Sequence, residues 1–442
     1  MRSLFVALAV GLGWGIRGDF GHVVGAMYPG VALGLAFAFV TGQSSMTRWM
    51  PILGLAGGVG ICAGGMMSYG ILHGYAKSDT LVNYSYGFLT LILEGGAWGG
   101  FGCALIAMVL DRKPLRLPDW VSVGVTVYLS GWATYQVVVN LLGFHINPPR
   151  SDLSIGYTGG MMGLLVWLWK NGRIYSFKGA FFGFLGFGFG MAVGRLFGNI
   201  SYSFPFGINS WNVMETSCGF IGGLVFTFTM LGKKFEEPSD EDWHPTLANI
   251  GILYSLAGIP ILHFLYRIEP EKKLEEWANA ASRFGIEETA NFAQGVLDGL
   301  EFVCLLGFVG SALWYYSYSN RKERKPSAFP VLYLSLLMIL FQNINALYFW
   351  YESRENYVNM HNVFWLLWVL MVLYAVFIPR PPITDPDEVA DHVDIRNALS
   401  WAFVVYCFVL MGAGFANGEE TMKSANTRFP LWSWRDGPFP RE

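Results

Sequence analysis

The chain has 442 residues, 53% of them hydrophobic and 14% charged, with a net charge of −3 and a mean hydropathy of +0.39. A soluble domain carries about 25% charged residues. The deficit here runs the whole length, which excludes a globular protein with a single anchor, and the near-neutral balance gives no reason to expect nucleic acid as a partner.

A helix needs about 20 apolar residues to cross a bilayer. On that measure the sequence predicts an all-α, polytopic membrane protein of 13 transmembrane helices. They span roughly 3–21, 25–42, 51–71, 87–110, 119–143, 155–170, 178–198, 212–232, 246–267, 291–318, 329–350, 362–379 and 397–415. The first run follows one arginine, as in a signal peptide, but no A-x-A-like site closes it and a second run follows at once. It therefore reads as a retained helix.

The first eight helices form four hairpins. Each second helix is glycine-rich and ends at or near a basic turn: 29–40, 95–113, 158–173 and 218–234. The first helices echo one another more weakly, GWGIRGDFGH (13–22) matching GMAVGRLFGN (190–199) at two glycines and a phenylalanine. This pattern predicts a parallel internal repeat over 1–234, in which small residues let helices approach closely. FEEPSDEDWHP (235–245) reads as a polar cytoplasmic linker. A second module of five Leu/Phe/Trp-rich helices follows over 246–415, with a mixed-charge amphipathic segment at 269–290 lying on the outer face. An exoplasmic tail, 416–442, ends the chain.

Orientation follows from the Lys/Arg content of short connections. Arg2, Arg48, DRKPLR (111–116), KNGR (170–173), GKK (232–234) and NRKERK (320–325) all fall on one side, which is expected to be cytoplasmic. The N-terminus is then cytoplasmic and the C-terminus exoplasmic. The expected location is a cell membrane, as in the bacterial inner membrane, with the lipid bilayer as the first partner.

An ionisable side chain inside a span costs about 2.5–3.5 kcal/mol on insertion scales, so it faces the protein interior and finds a company of polar groups. The candidates are Arg17, Asp19, His22, Glu94, Arg195, Asn199, Glu215, Asp298, Glu301, Asn343 and Asn345. With the orientation above, every one falls toward the outer end of its helix. Gln294, Asp298 and Glu301 share a face of the tenth helix. Asn343 and Asn345, with Gln342, suit bonds across helices. Glu94 and Glu215 read as the first residues of glycine-rich helices, where a carboxylate meets the helix dipole. Arg17 and Arg195 are expected to pair with these glutamates or with Asp19, or to offer two guanidinium forks to an anion. His22, His73 and His145 are too dispersed to suggest a metal. Five cysteines, all in apolar runs and with no CxxC, suit packing. Asn83 and Asn199 begin glycosylation patterns on the outer side. RGD (17–19) ends a membrane helix and cannot serve as an adhesion loop.

No Walker motif, GxSxG, HExxH, haem or flavin signature is present, so no cofactor is expected. The leading expectation is a secondary carrier or channel-like transporter for a small polar or anionic solute, with a polar site open to the outer face. The alternatives are a membrane-embedded transferase using a lipid-linked substrate and a non-catalytic subunit of a membrane assembly. In its dozen or so spans and its carboxylate (Asp19) at the outer end of helix one, the chain resembles polyprenol-dependent glycosyltransferases, but it lacks their long first outer loop. An enzyme is the less expected outcome; a homo-oligomer or larger membrane complex is compatible with all three readings.

Overall fold

The structure is a computed structural model that describes residues 1–64, 69–111, 113, 115–147, 151–231, 243–267, 288–319, 325–346, 357–358, 360–380 and 395–417, with scattered positions between 274 and 287. It is almost entirely helical. In chain order the helices are α1 (Arg2–Arg17), α2 (Val24–Thr41), α3 (Met46–Gly64), the short α4 (Gly70–Tyr75), α5 (Leu81–Leu110), α6 (Leu117–Tyr135), α7 (Leu153–Lys170), α8 (Ile174–Ser201) and α9 (Ser210–Leu231). Then come α10 (Pro245–Leu253), α11 (Ile259–Arg267), α12 (Thr289–Ser319), α13 (Phe329–Ala346), α14 (Met360–Phe377) and α15 (Ile395–Ala416). A π-helical turn, Gln136–Leu141, extends α6, and another, Tyr254–Gly258, fuses α10 to α11 into one apolar rod.

Each of the 13 apolar segments lies largely on helix. Among the described residues, six helices are long and apolar enough to cross a membrane by length and composition: Val24–Thr41, Leu81–Leu110, Ile174–Ser201, Ser210–Leu231, Pro245–Leu265 and Ile395–Ala416. Helices suit such a setting because they satisfy their own backbone hydrogen bonds where no water can.

Six helices close a ring. α1 packs on α2, α2 on α3, α3 on α5, α5 on α8, α8 on α9, and α9 returns to α1. The hairpin α6–α7 stands outside it, with α7 against α5 and α8. It therefore does not take the place in the ring that the other three hairpins share. The later helices wrap the ring: α10 lies on α3, α13 and α14 on α1, and α15 on α8 and α5.

Glycine sets the ring's seams. Gly30 of α2 and Gly57 of α3 meet backbone to backbone, so a Cβ on either would run into the other's carbonyl oxygen. Apolar burial does not drive helices together in lipid, and van der Waals packing at such small-residue seams does. Gly57→Ala is expected to cost about 1–3 kcal/mol through overpacking, read as a lower unfolding temperature in detergent; an unchanged midpoint would mean that the seam has slack.

Contacts sort the connections into two sets. At one end Arg2 donates to the Thr41 carbonyl at 3.2 Å and the Arg48 guanidinium sits 4.0 Å from the Trp243 ring centroid. There too Arg173 donates to the Lys113 carbonyl. At the other end Lys77 donates to the Tyr202 hydroxyl at 2.8 Å and Tyr86 to the Ile146 carbonyl at 2.7 Å. A two-residue parallel strand pair, Gly207–Ile208 with Tyr357–Val358, also ties two connections of that end together. Most of the linker 235–245, most of the segment 269–290 and all but two residues of the tail 416–442 lie outside the described residues.

Candidate functional site

The site forms at the ring end where Lys77 and Tyr202 meet. Helix α1 stops at Arg17, and a 3-10 turn, Gly18–Phe20, leads to Gly21. Gly21 takes φ 76°, the left-handed region that glycine enters without a Cβ clash, and so reverses the chain into α2. Gly18 leaves room for a neighbour, since a Cβ there would lie 2.7 Å from Glu215 Oε2.

Arg17 is fully buried, with 0% exposure. Its Nη2 donates to Glu215 Oε1 at 3.0 Å and to the Tyr69 hydroxyl. Tyr69 in turn donates to the same Oε1 at 2.6 Å. Three rings box the guanidinium: Trp98 at 4.4 Å, Tyr69 at 5.1 Å and Trp14 at 5.3 Å from their centroids. A cation over an aromatic face gains about 0.5–2 kcal/mol, more when dry. Beneath Arg17 the rings continue as a plug. Trp14 meets Trp98 edge-on at 5.4 Å and Phe187 at 5.0 Å, and Gly219 leaves space for Trp14 as Gly99 and Gly222 do for Phe187.

Glu94 joins this group from α5. It is 1% exposed, and neither carboxylate oxygen has a hydrogen-bond partner. The expected dipole role does not hold for either glutamate. Helix α5 begins at Leu81 and α9 at Ser210, so Glu94 lies mid-helix, Glu215 lies beyond the first turn, and neither helix has an acidic residue in that turn.

Arg195 of α8 is also 0% exposed. It pairs with an amide instead of a carboxylate: its Nε donates to Asn199 Oδ1, one turn on, at 2.7 Å. Asn199 passes the connection outward, donating to the Ala76 carbonyl at 3.1 Å and to Asn417 Oδ1 at 2.7 Å. Asn417, just past α15, donates to the carbonyls of Ala76 at 3.0 Å and Ser78 at 2.7 Å. The Asn199 amide is thus committed and buried. Asn83 is buried too, donating to Thr80 Oγ1 at 2.7 Å, so neither glycosylation pattern presents an accessible asparagine.

His73, expected in a loop, is 1% exposed on α4, with neither ring nitrogen hydrogen-bonded. Its ring lies 5.0 Å from Tyr69 and 4.9 Å from Trp211, in the positive field of Arg195, Lys77 and Arg17. His22 is exposed and meets Tyr69 edge-on at 5.5 Å. His145 lies apart, its Nδ1 2.6 Å from Asp152.

Of the residues expected to act together, the structure gathers Arg17, His22, Glu94, Arg195, Asn199 and Glu215. Asp298 is exposed and accepts a bond from Gln294 at 2.7 Å, on a helix that packs against α10 and its π turn. The side chains of Asp19, Glu301, Asn343 and Asn345 lie outside the described residues. Tyr69, His73, Trp98, Trp211, Lys77, Tyr202 and Asn417 were not singled out from the sequence as members of one site. A signal for the first two was present in YGILHGY (69–75), where tyrosine and histidine stand four apart and so share a helix face. Among the described residues no three His, Cys, Asp or Glu side chains group as a metal site would require.

Tyr202, just past α8, titrates in the working range. Burial pushes its phenol up, but bonds from Lys77 and Ser210 and the charges of Lys77 and Arg195 outweigh it and bring the value from 10.0 down to about 8. A lowered folded-state value means that the ionised phenol adds stability above the unfolded value, and that this contribution is lost as pH falls through about 8. Ultraviolet titration should reveal one tyrosinate forming near pH 8, missing in Tyr202→Phe and moved back toward 10 by Lys77→Met. A wild-type titration with every tyrosine near 10 would contradict the contact.

Compared with protein-family models, curated proteins and solved structures, the chain matches none.

Proposed function

We propose that the protein is a multi-pass membrane carrier for a small anionic solute, with 13 spans and a polar site reached from the outer face. The observation that supports this most is a pair of buried guanidiniums whose donors are only partly met. Arg17 and Arg195 are both 0% exposed, yet Arg17 Nε and Nη1 and Arg195 Nη1 have no acceptor. An unmet buried donor costs about 1–3 kcal/mol, more when charged. An anion entering the cluster supplies the acceptors, and planar guanidinium forks suit carboxylate or phosphate oxygens. The plug of Trp14, Trp98 and Phe187 forms a barrier on the other side. The Lys/Arg-rich connections support reading that side as the cytoplasmic one. The lipid bilayer is the surrounding partner, and no cofactor is required.

Purified protein in liposomes should take up at least one of a panel of labelled anions (phosphate, sulfate, chloride, short mono- and dicarboxylates) in a saturable way. Arg195→Gln should abolish the uptake without unfolding the protein. If no anion crosses under any imposed ion gradient while the protein stays folded, the carrier reading fails.

A second reading, a transferase acting on a lipid-linked substrate, draws on a lateral cleft of about 710 Å³ between α5, α6 and α7, lined by Phe101, Leu105, Val127, Trp132, Tyr157 and Leu164. It would accept an apolar chain, with Asp19, Asp298 or Glu301 as the base. Turnover lost in Asp19→Asn would favour it, and wild-type turnover in that variant would exclude Asp19.

A further inference from the structure

Two buried glutamates and one guanidinium share the centre of the site, and the structure pairs only one glutamate with it. Arg17 holds Glu215 through Nη2, while its Nε–H and Nη1–H groups have no acceptor. Glu94 is 1% exposed and has no donor at either oxygen, although it lies within electrostatic reach of Arg17. Glu94 and Trp98 stand four apart on α5, hence on one face, and the Trp98 ring covers the Arg17 guanidinium at 4.4 Å. The face of α5 that carries Glu94 therefore looks toward Arg17.

Leaving an ionised carboxylate buried with no hydrogen bond costs several kcal/mol, whereas the neutral acid leaves only an ordinary polar group unmet. The described geometry suits a neutral Glu94 beside an ionised Arg17–Glu215 pair. We infer that Glu94 is the proton-binding group of this site, and that Arg17 exchanges Glu215 for Glu94 when that proton leaves. The step transfers one proton from the Glu94 carboxyl to water on the outer side. It breaks the Arg17–Glu215 ion pair, forms an Arg17–Glu94 pair and makes the site more negative by one charge. With Glu94 neutral, the guanidiniums accept an anion; with Glu94 ionised, the added charge repels it. The coupling ion of the carrier proposed above is then the proton, moving in the same direction as the anion, and this part rests on that proposal.

The elements packed against α5 carry, among the described side chains, Arg48 and Cys62 on α3, Tyr69, His73 and Tyr75 at α4, Tyr157 and Lys170 on α7, Tyr175, Lys178 and Arg195 on α8, Glu215 and Cys218 on α9, and Arg396, Tyr406 and Cys407 on α15. The charge that acts on Glu94 is that of Arg17.

Infrared difference spectroscopy of the purified protein in lipid, titrated with pH in H2O and D2O, tests the proton site without any solute. The wild type should show a carboxylic-acid C=O band that disappears as pH rises. That band should be missing in Glu94→Gln, present in Glu215→Gln and shifted in Glu94→Asp. An unchanged band in folded Glu94→Gln, or no such band in the wild type at any pH, overturns the inference. Liposome uptake then separates the two claims. A Glu94 band with no anion movement rejects the carrier and leaves the proton site standing. Anion uptake that an inward proton gradient fails to accelerate rejects the coupling and leaves the carrier standing.

Discussion

Arg17→Gln should cost about 3–5 kcal/mol, the loss expected when one partner of a buried ion pair is removed and the other is left uncompensated. Glu215, 1% exposed, would keep the Tyr69 hydroxyl as its remaining observed donor within this triad. The variant also empties the space boxed by Trp14, Tyr69 and Trp98. Arg17→Lys should recover only part of the loss, because a point charge on a flexible stem cannot spread a planar fork between Glu215 and three rings. The double variant Arg17→Gln, Glu215→Gln should be far milder than the sum of the single losses, since it removes both charges. Thermal unfolding in detergent, fitted across the four-member cycle, measures the coupling. Additive losses would show that the pair is not the organising contact of this end.

Trp98→Ala should be as damaging, at about 3–5 kcal/mol for a large aromatic removed from a packed interior. Trp98 has 0% exposure, and its ring touches Trp14 at 5.4 Å and Tyr69 at 5.6 Å. Gly64 of α3 leaves the space that the indole fills. In lipid the cost is chiefly lost dispersion contact, because the bilayer itself is apolar. A functional consequence follows from the plug. Liposomes carrying Trp98→Ala should leak small anions without saturation, whereas wild-type liposomes should not. A tight variant would mean that the barrier lies elsewhere along the ring.

The helices were legible because the physics behind them is one-dimensional. A charge-poor run must satisfy its backbone internally, and each of the 13 apolar segments lies largely on helix. That Arg17, Glu94, Arg195 and Glu215 are buried polar groups in apolar helices is also legible, because each stands in a charge-poor run. Neighbours were not readable. Glycine seams such as Gly30 with Gly57 and Gly219 with Val10 look alike in sequence, so nothing told α1 to pack on α9 or excluded α6–α7 from the ring. Helix starts were misread where polar aromatics lead in. The run LVNYSYG (81–87) resembles a loop, yet it is the first two turns of α5, and that shifts Glu94 from a helix start to its middle. His73 falls between two apolar runs in the sequence, yet it lies on the short helix α4. Asn417 joins through bonds to backbone carbonyls, for which a sequence carries no signal.

In the proposed carrier the buried guanidiniums of Arg17 and Arg195 hold the anion. This is tested most directly by the unfolding midpoint of the purified protein titrated with phosphate, sulfate and short carboxylates at fixed ionic strength. A ligand at 100 times its dissociation constant stabilises the folded state by about 2.7 kcal/mol. At least one of these anions should raise the wild-type midpoint in a saturable way and leave Arg195→Gln unmoved. No shift with any of them, or the same shift in both proteins, would contradict it.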